Sequence, residues 1–255
     1  MWRVLYPAGI HFVAGYVVGQ ALIIFLLLTG QGLGQVERYS LAATGITGLV
    51  IMPIALWLMR LDEKKGGYYR GGRFKRRMRP AEVVWMLLLG MSVCHMANML
   101  LSMLQIARLF PGYGELSERV FADQNLLAML FWVGLVAPIA EELIFRGLIF
   151  RRLLDDMRVG WAIGISAFFF GIYHGNVLQF LYAGILGACF AYCYYRLRSL
   201  WAPILLHIGA NCWSVILTQL AAGGATPQLG YILLLVMGVE VVILVSSIVA
   251  FCRKS

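Results

Sequence analysis

The chain has 255 residues, of which 61% are hydrophobic and only 13% carry charged side chains. Soluble globular domains contain about 25% charged residues, so this composition excludes a soluble domain and is typical of an integral membrane protein. The net charge of +9 could suit a nucleic acid, but the basic residues form no folded module, and we expect no nucleic-acid partner. The five cysteines lie in apolar runs without paired spacing, which argues against disulfides and against a thiolate metal site.

Eight apolar runs predict eight transmembrane helices, since about 20 residues of α-helix cross the hydrocarbon core. The runs are 8–29, 40–60, 82–107, 125–150, 160–175, 177–196, 200–221 and 229–251. They leave little length for a soluble domain, so we predict an all-α polytopic membrane protein with a single transmembrane domain over 1–255. The first run has only Arg3 before it and no small-residue cleavage site after it, which favours a helix over a signal peptide.

Basic residues fall almost entirely on one side of these spans. With the N-terminus in the cytoplasm, the cytoplasmic segments carry 17 of the 21 lysines and arginines. This asymmetry follows the positive-inside rule and predicts that both termini are cytoplasmic. The basic loop 60–81 would lie beside the membrane, where its arginines can contact anionic lipid headgroups. We expect a multi-pass protein of a bacterial plasma membrane, with the lipid bilayer as a partner.

Charged and polar residues interrupt three of the spans. The fourth span contains Glu141, Glu142 and Arg146 within six residues. A charge at bilayer depth costs a few kcal/mol or more, so such residues indicate a functional site. With a rise of 1.5 Å per residue, Glu141 lies roughly 13 Å from the cytoplasmic end of its span. On the same count His174, and His207 with Asn211, lie roughly 11–21 Å deep, so three helices can share one polar layer near the midplane.

Helical spacing separates the roles of these side chains. Residues four apart share one face of a helix, so Glu142 and Arg146 are predicted to form an ion pair. Glu141 is about 100° away around the helix and is free to face the histidines. Pro138 is predicted to bend the fourth span and to free backbone groups near the site.

This set of groups suits the hydrolysis of an amide bond. A carboxylate and a histidine can make one water molecule nucleophilic, the carboxylate accepting its proton. A histidine and an asparagine on another helix can donate hydrogen bonds to the developing oxyanion. No serine or cysteine nucleophile is required, and we place the catalytic core at about 125–221.

Three short motifs occur in order on separate spans and resemble those of the CPBP family. They are Glu141-Glu142-x-x-x-Arg146, Phe170-x-x-x-His174 and His207-x-x-x-Asn211. The family comprises CAAX-type intramembrane endopeptidases and bacteriocin-processing or immunity (Abi-like) proteins. The resemblance implies a glutamate-dependent protease in which Glu141 and His174 activate water and in which His207 and Asn211 form the oxyanion site. The remaining charged residues of the first motif would support it, and Phe170 would pack.

Two alternative functions would use the same buried residues. A zinc ion held by Glu141, His174 and His207 would leave an open position for water, although the HExxH motif is absent. A transporter or proton relay would extend through further polar residues of the spans, although no paired half-chain repeat supports it. Those residues are His11, His95, Asn98, Gln105 and Glu240. Without such a path, Glu240 is expected to be a lone buried acid that is neutral or that pairs with a group the sequence does not identify.

A third alternative is a non-enzymatic protein of this fold that confers immunity or binds a partner. We predict intramembrane proteolysis on the cytoplasmic side, without a cofactor. The substrate would be a membrane-embedded or lipid-anchored peptide or protein.

Overall fold

The computed structural model describes residues 2–65, 76–106, 124–222 and 227–253, and within these ranges the chain is helical, without strands. Eight helices follow one another within these described ranges. They are α1 (Trp2–Leu28), α2 (Val36–Lys64), α3 (Pro80–Met103), α4 (Leu126–Asp156), α5 (Val159–Tyr173), α6 (Val177–Leu197), α7 (Trp201–Ala222) and α8 (Pro227–Arg253). All except α5 contain a segment that is long and apolar enough to cross a membrane. The predicted all-α, multi-pass membrane fold is confirmed.

Helix α5 is shorter than a complete span. Its 15 residues extend about 22 Å, less than the roughly 30 Å of a bilayer core. The chain then turns at Gly175, whose φ of +73° is a conformation that glycine adopts without strain. Asn176 caps α6, because its side chain accepts a hydrogen bond from the backbone N–H of Gln179 at 2.8 Å. Helix α5 therefore ends at a tight, capped turn after fewer residues than a complete span needs.

Basic residues from several connections meet at one end of the bundle. Arg152 at the end of α4 donates to Asp62 at the end of α2, with 2.8 Å between Nε and Oδ2. Arg3 at the start of α1 lies 3.9 Å from the same carboxylate. The backbone N–H of Arg76 donates to the carbonyl of Arg198, joining the approach to α3 to the α6–α7 connection. We call this the basic end and the opposite end the far end.

The predicted basic loop 60–81 is shorter in the structure than in the sequence analysis. Helix α2 continues to Lys64 and α3 begins at Pro80, so helix covers both margins of the loop. Residues 66–75 lie outside the described residues.

Helices α3 and α7 approach each other closely through two glycines. A Cβ atom at Gly90 would lie 1.9 Å from the carbonyl oxygen of Leu206, and one at Gly209 would lie 2.1 Å from that of Leu87. Only glycine permits this contact between backbones, which is a common way for helices to associate in membranes. The contact fixes the position of α7, which carries two of the predicted site residues.

Helix α4 lies between α2 and α7 and departs from regular α-helix on both sides of its acidic pair. The segments Leu130–Val136 and Phe145–Phe150 are π-helical, and Ala137–Ile144 between them is α-helical. Short π-helical segments recur at functional sites because the wider turn redirects side chains and backbone carbonyls. The irregular backbone thus lies on both sides of Glu141 and Glu142 and includes Arg146.

Candidate active site

The four predicted catalytic side chains line one cavity of about 1160 Å³. Glu141 comes from α4, His174 from the end of α5, and His207 and Asn211 from α7. The prediction that these helices bring their polar groups together is confirmed. The catalytic role of each residue stays a prediction.

Glu142 lies behind the cavity and is fully buried. Its Oε1 atom accepts hydrogen bonds from Nη1 of Arg146 at 2.8 Å and from Nδ1 of His207 at 2.9 Å. The predicted pair with Arg146 is confirmed. The contact with His207 differs from the expectation that Glu141 alone faces the histidines. The imidazole lies between the two carboxylates: Nδ1 contacts Glu142, and Nε2 lies 3.8 Å from Oε2 of Glu141.

Arg146 has a fully buried guanidinium group whose two terminal nitrogens both donate hydrogen bonds. Besides Glu142, it donates from Nη2 to the carbonyl of Gly187 at 2.9 Å. Its Cζ lies 4.4 Å from the ring centroid of Phe170 and 5.2 Å from that of Phe190. Charge-assisted hydrogen bonds and cation–π contacts offset the loss of hydration. A Cβ at Gly187 would come within 3.1 Å of Nη2, which explains the small residue there.

His174 has a defined orientation at the end of α5. Its Nδ1 lies 2.8 Å from the carbonyl oxygen of Phe170, one of the carbonyls that the last turn of a helix leaves without an internal partner. A carbonyl only accepts, so Nδ1 carries a proton, and in the neutral imidazole Nε2 then has the lone pair. The Phe170 ring meets His174 and His207 edge-on, at centroid distances of 4.9 and 5.7 Å. The predicted packing role of Phe170 is confirmed, and its carbonyl accounts for the spacing of the second motif.

Asn211 is held by a carbonyl that Pro138 leaves free. In the π-helical segment the N–H of Ala137 donates to the carbonyl of Trp132, five residues back. The same pattern one residue later would pair position 138 with Val133, but proline has no N–H. The carbonyl of Val133 instead accepts from Nδ2 of Asn211 at 2.9 Å. The prediction that Pro138 frees a backbone group near the site is confirmed.

Two further side chains join the site that the motifs did not assign to catalysis. Tyr173 and His11 both line the cavity, and the Tyr173 hydroxyl lies 2.8 Å from Nδ1 of His11. From the sequence, His11 is predicted only as part of a possible proton path. The sole signal for Tyr173 is that it precedes His174. The partner of Tyr173 lies 162 residues away along the chain, so spacing alone could not identify the pair.

Glu240 is paired. Its Oε2 lies 2.5 Å from Nδ1 of His95, which identifies the partner that the sequence left open. Trp85 makes a second link to α8, donating from Nε1 to the Ser247 hydroxyl at 2.9 Å. Neither His95 nor Glu240 is among the described residues that line the cavity. The pair joins α8 to α3, which is a structural role.

The donor set bears on the zinc alternative. Nδ1 of His174 and Nδ1 of His207 are both engaged with the protein, so Nε2 would be the ligand atom on each ring. Within the described ranges, no group of three or more His, Cys, Asp or Glu side chains is arranged to hold a metal ion. A zinc chelator would therefore distinguish a metal-dependent reaction from a metal-free one.

Fold and site together define a polytopic helical membrane protein in which Glu141, His174 and His207 line one cavity. Residues 123–213 match the family described as Type II CAAX prenyl endopeptidase Rce1-like. A segment of 110 residues is 34% identical to the protein named "Putative membrane peptidase YdiL" of Bacillus subtilis (strain 168). The segment covers 42% of this chain and 45% of that protein, so the chain spans less than half the length of the curated relative it matches. No solved structure matches the chain significantly.

The matched residues 123–213 include every candidate catalytic residue of the cavity. The resemblance of the three motifs to the CPBP family is thereby confirmed.

Proposed function

We propose that this protein is an intramembrane endopeptidase that hydrolyses a peptide bond of a membrane-embedded or lipid-anchored substrate without a metal ion. The observation that carries the proposal is the meeting of Glu141, His174, His207 and Asn211, from three helices, in one cavity. The match to a CAAX endopeptidase family and to a relative named as a membrane peptidase supports it.

The first chemical step is the attack of water on the scissile carbonyl carbon. Glu141 accepts a proton from the water as the new C–O bond forms. His174 orients the same molecule, because its Nε2 lone pair accepts a hydrogen bond while Nδ1 donates to the helix end. The proton held by Glu141 then passes to the leaving nitrogen as the C–N bond breaks, which returns the carboxylate to its starting form.

His207 and Asn211 stabilise the oxyanion of the tetrahedral intermediate. Asn211 has two amide hydrogens, and the one not given to Val133 can point into the cavity. His207 donates from Nε2 only as an imidazolium, since Nδ1 already donates to Glu142. The Glu142 carboxylate orients the imidazole by accepting from its Nδ1, and Arg146 holds the carboxylate in place. Glu142 and Arg146 are thus positioning residues.

Cleavage of a mixed library of membrane-anchored peptides by the purified protein in detergent tests the proposal. We expect Glu141→Gln, His174→Ala and His207→Ala each to lower the cleavage rate by about 100-fold or more, the usual contribution of general base catalysis. Glu240→Gln is the matched control, because it removes a buried carboxylate outside the cavity while retaining a hydrogen-bond acceptor for His95. We expect this control to cleave at nearly the wild-type rate.

Each sample is assayed with and without a strong zinc chelator. Wild-type activity that survives the chelator supports the metal-free mechanism. Activity that the chelator abolishes and zinc restores would replace it with the metal-dependent alternative. Wild-type rates in Glu141→Gln would overturn the glutamate mechanism altogether.

A further inference from the structure

We propose that the site is reached from the far end of the bundle, so that water and the scissile peptide segment enter from the extracytoplasmic side. The entry of a peptide substrate rests on the proposed function, whereas the direction of access rests on the geometry of the cavity and on the position of the basic residues. The proposal differs from the cytoplasmic-side proteolysis that the sequence predicts.

The cavity lining on the two catalytic helices runs in one direction. On α4 it begins at Met129 and recurs at every fourth residue until it stops at Glu141. On α7 it begins at His207 and continues to Thr218, close to the end of the helix. Both helices therefore contribute only from the catalytic layer outward to the far end.

The neighbouring helices follow the same rule. Helix α2 contributes Thr44 and Thr47, which lie in its far-end half, and α3 contributes residues as far as Ser102, in its last turn. Helix α6 contributes from Leu178, at its far-end start, down to Phe190. The cavity is thus a funnel whose bottom is the catalytic layer.

Toward the basic end this layer rests on a closed floor. Phe145, Leu148, Ile149 and Phe150 follow Glu141 along α4, and each is at most 1% exposed. With a rise of 1.5 Å per residue, they fill most of the roughly 15 Å between Glu141 and the arginines that end the span. Glu142 and Arg146, next to Glu141 on this side, are also fully buried, so α4 is tightly packed between the cavity and the basic end.

Charge identifies the two membrane faces. Among the described residues, Arg3 of α1 and Arg152 of α4 pair with Asp62 at the basic end, and Arg198 of the α6–α7 connection lies at the same end. The positive-inside rule makes that end cytoplasmic. The depth of Glu141, counted along α4, places it nearer the cytoplasmic face, which led to the cytoplasmic-side prediction. Depth measures the distance to the nearest surface, whereas the packing decides the direction in which the cavity opens.

The lining of the funnel includes polar side chains that can contact an extended peptide and water. Hydroxyl and amide groups can pair with the unpaired N–H and C=O groups of an unwound segment, which would otherwise be costly at this depth. The described side chains of this kind are Tyr16, Thr44, Thr47, Asn98, Ser102, Gln179, Tyr182, Ser214 and Thr218. We infer that the substrate is a membrane-anchored polypeptide whose scissile segment lies at the extracytoplasmic surface and unwinds to enter the funnel.

Thiol labelling tests the direction of access without any need for activity. The five native cysteines are replaced by alanine, and single cysteines are introduced by Ser214→Cys in the funnel, Lys64→Cys at the basic end and Ile46→Cys. Ile46 is the control, because it is exposed on α2 two residues from Thr44 but is not among the lining residues. Right-side-out membrane vesicles are treated with a membrane-impermeant maleimide, and unreacted thiols are then counted with a mass-tagged reagent after solubilisation.

We expect Ser214→Cys to react in sealed vesicles at least about ten times faster than Ile46→Cys, because maleimides react with the thiolate that only water supports. Lys64→Cys should react only after the vesicles are permeabilised. If Ser214→Cys reacts only after permeabilisation, or no faster than Ile46→Cys in either state, the proposal is wrong.

The same labelling in a Glu141→Gln background separates the two proposals. An unchanged labelling pattern with no loss of cleavage would overturn the glutamate mechanism and leave the access route standing. If Ser214→Cys reacts only from the basic end while Glu141→Gln abolishes cleavage, the access route is wrong and the glutamate mechanism stands.

Discussion

Replacing Arg146 by methionine tests whether the buried charge cluster is held together as the structure indicates. Methionine fills a similar volume but carries no charge, so the buried carboxylate of Glu142 would lose the guanidinium that pairs with it. Only Nδ1 of His207 would remain hydrogen-bonded to the Oε1 atom of that carboxylate. We expect the loss of one partner to be worse than the loss of both.

The magnitude follows from the contacts that disappear. Arg146 makes two hydrogen bonds, to Glu142 and to the carbonyl of Gly187, and bonds of charged groups contribute about 1.5–3 kcal/mol each. Its contacts with the rings of Phe170 and Phe190 add about 0.5–2 kcal/mol. Removing the guanidinium also removes its own desolvation penalty, which offsets part of the loss. The expected destabilisation is therefore about 3–5 kcal/mol, the range for breaking a buried ion pair.

The assay is reversible unfolding in mixed micelles with increasing SDS, followed by circular dichroism. Arg146→Met, Glu142→Gln and the double variant complete a thermodynamic cycle with the wild type. We expect the double variant to be more stable than Arg146→Met alone by about 2 kcal/mol, because no buried charge is left without its partner. A loss below about 1 kcal/mol in Arg146→Met, or strict additivity in the double variant, would refute the reasoning.

Two further predictions use the same unfolding assay. Glu240→Ala should destabilise the protein by about 3 kcal/mol because His95 loses its buried partner. A double His95→Leu, Glu240→Leu variant should recover most of that loss. A double variant as unstable as the single one would contradict the pairing. Gly90→Ala should cost about 3 kcal/mol because its Cβ would collide with the carbonyl of Leu206, whereas Gly238→Ala, which meets nothing within 4 Å, should change stability by less than about 1 kcal/mol. Equal effects of the two alanines would show that the α3–α7 approach is not tight.

Local rules along one helix succeeded where both partners lie on that helix. The pairing of Glu142 with Arg146 follows from a separation of four residues, and the structure confirms it. The release of a backbone carbonyl by Pro138 also follows from the missing N–H of proline. The side chain that donates to this carbonyl could not be predicted in the same way. Asn211, which takes it, lies 78 residues beyond Val133 along the chain, so only packing brings the two together.

Contacts between helices account for the remaining differences. His207 bridges both acidic residues because α7 approaches α4 at their level, and a helical projection of α4 alone cannot show this. Glu240 pairs with His95 for the same reason, across 145 residues of sequence. In each case the partner is chosen by which helices are neighbours, a property that no single span contains.

The sequence by itself determined which segments enter the membrane and which residues are chemically unusual there. Both are decided segment by segment, through the transfer of apolar side chains into hydrocarbon and the cost of placing a charge among them. The tertiary structure alone decided how those residues meet, which carbonyl holds Asn211, and toward which face the cavity leads. Those features depend on the close packing of helices that lie far apart in sequence, where glycines such as Gly90 set the separation and bulky residues such as Phe150 close one end.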